Sequence, residues 1–286
     1  MPVRPEGLLL GPHYTGIRGH AETVEVTAHL GGNTYQFYIR SPFSGKLFRS
    51  DGDDVQRAAR LREQRGIAPP FAHSLRDLNL AAEGPLWEGQ ARRLVEDLGC
   101  ARDCGCAALV VHPGVAGGAR QEAVHRAGRA LAQALQMVSG EVGILLESRS
   151  APGELGTSPE ELAAIIRAAE DDPRLGVCID TGHLYAAGLL LPERSGRLRD
   201  KLERAIGLER VRLCHLNDIV CPAGGGPGSH VRFGMGDIAL TGFLDIFRGR
   251  LLDGLPLVVE TPARQATELG IEMDNIRRLI AVAGQG

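Results

Sequence analysis

Short apolar runs recur along this chain with a metal-ligating type of side chain closing almost every one, and that placement restricts the fold more than any other feature. The runs cover residues 8–13, 35–39, 68–73, 108–112, 142–147, 175–180, 211–215 and 256–260. Seven of these eight end in His13, His73, His112, Glu147, Asp180, His215 and Glu260. Between them lie stretches of helical periodicity, among them 86–103, 120–138, 158–169 and 196–205. Ser158 followed by Glu161 has the form of a capping box and marks one helix start. Alternating strands and helices predict a parallel sheet, and eight such units predict an α/β protein, a (β/α)8 TIM barrel. No linker or second domain interrupts the pattern, so residues 1–286 are expected to form a single domain. The Gly-rich stretch 221–229 reads as a long βα loop.

Buried parallel strands are nearly all apolar. A polar residue at the end of each therefore needs a reason, and the barrel supplies one. Its C-terminal strand ends ring one axial pocket, so residues scattered through the sequence converge there. Imidazoles and carboxylates together suit zinc, manganese or iron, and their number exceeds one tetrahedral site. Several ions close together can bring the pKa of water toward neutrality and neutralise the attacking and leaving oxygens of a phosphodiester. Such a reaction needs no side-chain nucleophile, and neither a G-x-S-x-G nor a P-loop pattern is present.

Composition bounds the alternatives. A net charge of -3 gives no bulk basicity, and Lys46 and Lys201 are the only lysines. The six cysteines lack the C-x-x-C spacing of a thiolate site and read as buried thiols. No run approaches the roughly 20 apolar residues that cross a bilayer, and no export signal is evident, so a cytoplasmic protein is expected.

Six segments together resemble the endonuclease IV family, zinc-dependent enzymes of the xylose-isomerase-like barrels that cut DNA at abasic sites. They are Gly11-Pro12-His13, Phe71-Ala72-His73 running on through Asn79-Leu80, and Leu109-Val110-Val111-His112-Pro113-Gly114. The others are Gly176-Val177-Cys178-Ile179-Asp180-Thr181-Gly182-His183, His215-Leu216-Asn217-Asp218 and Pro256-Leu257-Val258-Val259-Glu260-Thr261. The resemblance implies three zinc ions, with manganese as a substitute. His73, His112 and Glu147 would hold the first; Glu147 would bridge to a second held by Asp180, His215 and Glu260; His183 and His230 would hold the third. It also implies a monomer acting on double-stranded DNA, with no membrane partner. The reaction would be hydrolysis of the phosphodiester 5′ to an abasic site in base excision repair, leaving a 3′-hydroxyl and a 5′-deoxyribose phosphate.

Two departures from the family pattern stand out. The third site's Asp-x-His pair reads Gly228-Ser229-His230, which weakens that site unless Asp218 or Asp237 fills the place. In the DNA-contacting loops the usual basic-Asn-x-Arg segment is 40–46, and the usual wedge tyrosine is Arg76. His13, Arg40, Lys46 and Arg76 are the expected DNA contacts, and Phe43 an apolar wedge. The alternative is a single-ion sugar isomerase or epimerase of the same superfamily, for which His73, His112, His183 and His230 look superfluous.

Overall fold

A computed structural model describes residues 7–48, 51–221, 228–261 and 266–285. All eight expected strands form: β1 (Leu10–Tyr14), β2 (Gln36–Tyr38), β3 (Phe71–His73), β4 (Ala108–Val111), β5 (Gly143–Glu147), β6 (Leu175–Asp180), β7 (Val211–His215) and, after a hairpin of β8 (Asp218–Val220) and β9 (Ser229–Val231), β10 (Leu257–Val259). They close in the order β1-β10-β7-β6-β5-β4-β3-β2, every pair parallel. The helices are α1 (His20–His29), α2 (Gly52–Arg65), α3 (Pro85–Asp103), α4 (Arg120–Met137), α5 (Pro159–Ala168), α6 (Thr181–Ala186), α7 (Ser195–Ala205), α8 (Ala239–Arg248) and α9 (Ala266–Ala283).

Strand alternation sorts the core into two layers. Phe71, Ala108, Val110, Leu145, Cys178, Leu213 and Val258 pack together inside the ring. Their strand neighbours, such as Ala72, Leu109, Val111, Leu146, Ile179, Cys214 and Val259, pack outward against the helices. Two residues beyond an inward-facing apolar side chain the next one also faces the axis. From Phe71, Val110, Leu145, Cys178, Leu213 and Val258 that step lands on His73, His112, Glu147, Asp180, His215 and Glu260. The apolar plug thus forms the floor on which the polar ring stands.

The stretch 221–229 is not wholly loop. Ser229 begins β9, which pairs antiparallel with β8 through Ile219 and His230; residues 222–227 lie outside the described residues. At α5, Ser158 Oγ accepts the Glu161 N–H at 3.2 Å, as expected of a cap. Glu161 does not return the bond to Ser158; its carboxylate takes the N–H groups of Gly156 and Thr157 at 2.7 and 3.2 Å. All six cysteines are free thiols, Cys104, Cys106, Cys178 and Cys214 buried.

The H-P-G turn after β4 has a steric reason. Gly114 has φ +114°, and a Cβ there would lie 2.3 Å from Asn79 Oδ1 and 3.0 Å from the backbone nitrogens of Leu80 and Ala81. Asn79 Oδ1 accepts from Val115 N at 3.0 Å and Ala81 N at 3.1 Å, tying the β3 and β4 loops together. The Asn79-Leu80 and His112-Pro113-Gly114 segments are two halves of one contact.

Candidate metal centre

All eight expected ligands meet at the barrel mouth. Six come from the polar ring. His183 is brought in by the first turn of α6, where Asp180 acts as N-cap and accepts the His183 N–H at 2.8 Å. His230 enters from β9. Four overlapping groups have donor atoms within 4.8 Å of one another: His73, His112 and Glu147; Glu147, Asp180 and His215; His73, His215 and Glu260; and Asp180, His183 and His230.

Glu147 is the hub. Its Oε2 lies 2.9 Å from His73 Nε2, 3.2 Å from His112 Nε2 and 3.7 Å from His215 Nδ1. Its Oε1 faces the other way, 3.2 Å from His183 Nδ1. His215 Nδ1 is 3.3 Å from Glu260 Oε2 and 3.9 Å from Asp180 Oδ2, and His230 Nε2 is 3.6 Å from Asp180 Oδ2.

These residues fit divalent ions. His215 Nδ1 and His230 Nε2 are buried without a hydrogen-bond partner among the described residues, a costly state for a polar atom. His215 Nδ1 stands from Glu260 at the ~3.3 Å separation of two ligands around one tetrahedral zinc, whereas His230 Nε2 has Asp180 as its one carboxylate, at 3.6 Å. Burial pushes the His112 imidazole down to about 4, which leaves its lone pair free at neutral pH. Burial would raise the Glu147 carboxyl, but His112 and Arg149 outweigh it and hold it well below the usual carboxylate range. Burial likewise opposes charge on His73 and His183. Glu147 outweighs it for His73, Asp180 and Glu147 outweigh it for His183, and both imidazoles are raised.

A set of residues that the strand-end rule did not reach orients the ligands. Gln36 occupies β2, the one barrel strand whose end carries no metal-ligating type of side chain. It accepts from His215 Nε2 at 3.0 Å and donates to Glu260 Oε1 at 2.9 Å, with His13 Nδ1 2.7 Å away. A glutamine inside an apolar strand was the available signal. Asn217 donates to Asp180 Oδ2 at 2.7 Å and accepts the Glu260 N–H at 3.1 Å. Ser148 Oγ accepts the Asp180 N–H at 2.8 Å. Arg149 carried no sequence signal at all, and its Nη1 reaches Glu147 Oε1 at 2.8 Å.

The expected DNA contacts divide. His13 sits at the edge of the cluster, its Nδ1 3.5 Å from Glu260 Oε1, and burial pushes it down to about 3. Lys46, Arg76 and Phe43 are exposed, Phe43 at 94%. Arg40 is not free for phosphate: its guanidinium binds Asp97 at 2.5 Å and Glu96 at 2.7 Å. Asp97 in turn accepts from Ser74 Oγ at 3.0 Å, and the Ser74 carbonyl lies 2.6 Å from His73 Nδ1. Arg40 thus anchors the residue beside a candidate ligand, which sequence spacing could not reveal. Neither candidate for the missing carboxylate stands in a ligand group of the described residues. Asp218 accepts the N–H groups of Ile219, Gly236 and Ile238, and Asp237 accepts that of Cys221. The carboxylate that stands with His183 and His230 is Asp180.

Fold and site define a barrel whose mouth gathers several groups of side chains able to hold a metal ion. Residues 24–281 match the xylose isomerase-like TIM barrel family. Endonuclease 4 of Thermus thermophilus is 36% identical over 86% of this chain and 88% of its own. A probable endonuclease 4 of Heliobacterium modesticaldum is 34% identical over 91% of this chain and 95% of its own. A crystal structure of endonuclease IV from Thermus thermophilus superposes with a TM-score of 0.83 at 31% identity, covering 97% of this chain and all of that one. A D-tagatose 3-epimerase-like protein superposes with a TM-score of 0.74 at 18% identity over 97% and 99% of the two chains, a likeness of fold. The chain belongs to the endonuclease IV family within those barrels.

Proposed function

We propose that this protein is a metal-dependent abasic-site endonuclease of base excision repair, a zinc phosphodiesterase that acts as a cytoplasmic monomer on double-stranded DNA. The observation that supports it most is the convergence of eight imidazole and carboxylate side chains in one mouth, more than a single-ion sugar epimerase needs. Zinc suits this donor set, with manganese as a substitute. His73, His112 and Glu147 would hold one ion, and Glu147, Asp180, His215 and Glu260 a second; at the family's third position His183 and His230 have Asp180 alone for a carboxylate. When bound, the ions supply Lewis acidity, lowering the pKa of water and neutralising phosphate oxygens.

The protein's own residues do the rest. Glu147 keeps its charge at neutral pH and spaces the two ligand groups. Gln36 and Asn217 fix which atoms of His215, Asp180 and Glu260 face the centre. Lys46 and Arg76 would contact backbone phosphates, and Phe43 would wedge into the duplex so that the baseless nucleotide turns toward the mouth. The purified protein should cut a duplex carrying one synthetic abasic site, on its 5′ side. That activity should vanish on prolonged chelation and return with zinc, and Glu147→Gln should lower kcat at least about 100-fold. If zinc-loaded protein leaves this duplex intact yet interconverts ketoses, the epimerase reading replaces this one.

A further inference from the structure

Two peculiarities fall in the same corner of the mouth. The first is Gly228, at the position where the family has the third site's carboxylate. A Cβ at Gly228 would lie 2.5 Å from both Cδ1 and Cγ1 of Ile219 and 3.0 Å from the Val220 carbonyl oxygen. A side chain at 228 would have to displace the outer carbons of Ile219, which fill the place where the family's carboxylate stands.

The second is Arg149. Its side chain is only 12% exposed, and Glu154 grips the guanidinium through Nη2 at 2.8 Å and Nε at 3.2 Å. Glu154 is itself fixed, accepting the Ala151 N–H at 2.9 Å. Nη1 then projects into the cluster, 2.8 Å from Glu147 Oε1, 3.3 Å from His112 Nε2, and 3.4 and 3.3 Å from His183 Nδ1 and Nε2. A guanidinium has donors only and cannot be a ligand. Holding one among imidazoles costs desolvation that Glu147 and Glu154 must offset.

The two peculiarities compensate in charge: a divalent ion with one carboxylate carries a net +1, as does a guanidinium with none. We propose that Arg149 stands in for the third ion, so that this chain works with two ions and a fixed arginine that contacts the scissile phosphate. This rests on the nuclease reading above. In the hydrolysis the oxygen of a water adds to phosphorus, the P–O3′ bond breaks, and the 3′-oxygen takes up a proton as the water gives one up. Arg149 stays protonated throughout and donates N–H bonds to the phosphate and departing oxygen, where negative charge grows. A lysine keeps the charge but not the planar fork.

Two measurements decide it. Zinc-saturated, desalted protein should hold two zinc ions per chain by elemental analysis, and His230→Ala should hold the same number. Three ions in the native protein, falling to two in His230→Ala, overturn the proposal. Arg149→Ala should lower kcat on abasic duplex about 100- to 1,000-fold with little change in KM. Added guanidinium ion should restore part of the loss, and Arg149→Lys should fall between. A kcat within threefold of the native enzyme also overturns it. If the native protein cuts no abasic duplex, the substrate reading fails, and the zinc count in native and His230→Ala protein still decides whether a third ion is held.

Discussion

At the scale of single residues, the candidate ligands are held by neighbours that set which atom faces the centre. Gln36 does this for His215 and Glu260, Asn217 for Asp180 and Glu260, and the Ser74 carbonyl for His73. The ion pairs formed without metal also carry a pH signature. The folded-state His73 and His183 values are raised above 6.5, so their pairing with Glu147 and Asp180 stabilises fully below about pH 6.5 and is lost as pH rises through the raised values. Glu147 is depressed, so its contribution is present above about 4.5 and fades only when pH falls through its lowered value. Metal-stripped protein should therefore melt highest in mildly acidic buffer and lose Tm as pH climbs past neutrality, with His73→Gln flattening part of the decline. A thermal-melt series on chelated protein in which Tm rises across that range would contradict the assignment.

At the scale of elements, the loops after the strands are as constrained as the strands. Gly114 adopts a backbone conformation that L side chains rarely take, against the Asn79 side chain that joins two loops. Gly114→Ala should cost about 1–3 kcal/mol in denaturant unfolding, and the shifted turn should weaken the hold of His112 on metal. An unchanged unfolding midpoint would show that the turn relaxes freely. The hairpin of β8 and β9 has a similar role. Asp218 accepts three backbone N–H groups from its own strand and the following loop, which positions His230 on the opposite strand. This explains why Asp218, adjacent to a ligand motif, is committed to backbone and not to a cation.

At the scale of the whole molecule, the centre draws on six strands, a helix turn and a hairpin, so cations bound there join distant parts of the ring. Ions held at a thousandfold above their Kd stabilise the fold by about 4 kcal/mol. Chelation should accordingly lower Tm by roughly 8–16 °C, and readdition of zinc should restore it; a Tm indifferent to chelation would mean that the ions do not brace the barrel. Among the described residues no helix is long and apolar enough to cross a membrane. Strand count, strand ends and the meeting of six candidate ligands in one ring were legible in the chain, because buried parallel strands tolerate polar residues only where they close on a common pocket. That rule is local, needing only each run and its last residue; His183 was legible as the imidazole three positions beyond Asp180, and His230 only through the family's motifs. The role of Arg40, the commitment of Asp218, and the entry of Arg149 into the cluster were not legible. They depend on which loop packs over which strand end, and only the closed ring decides that.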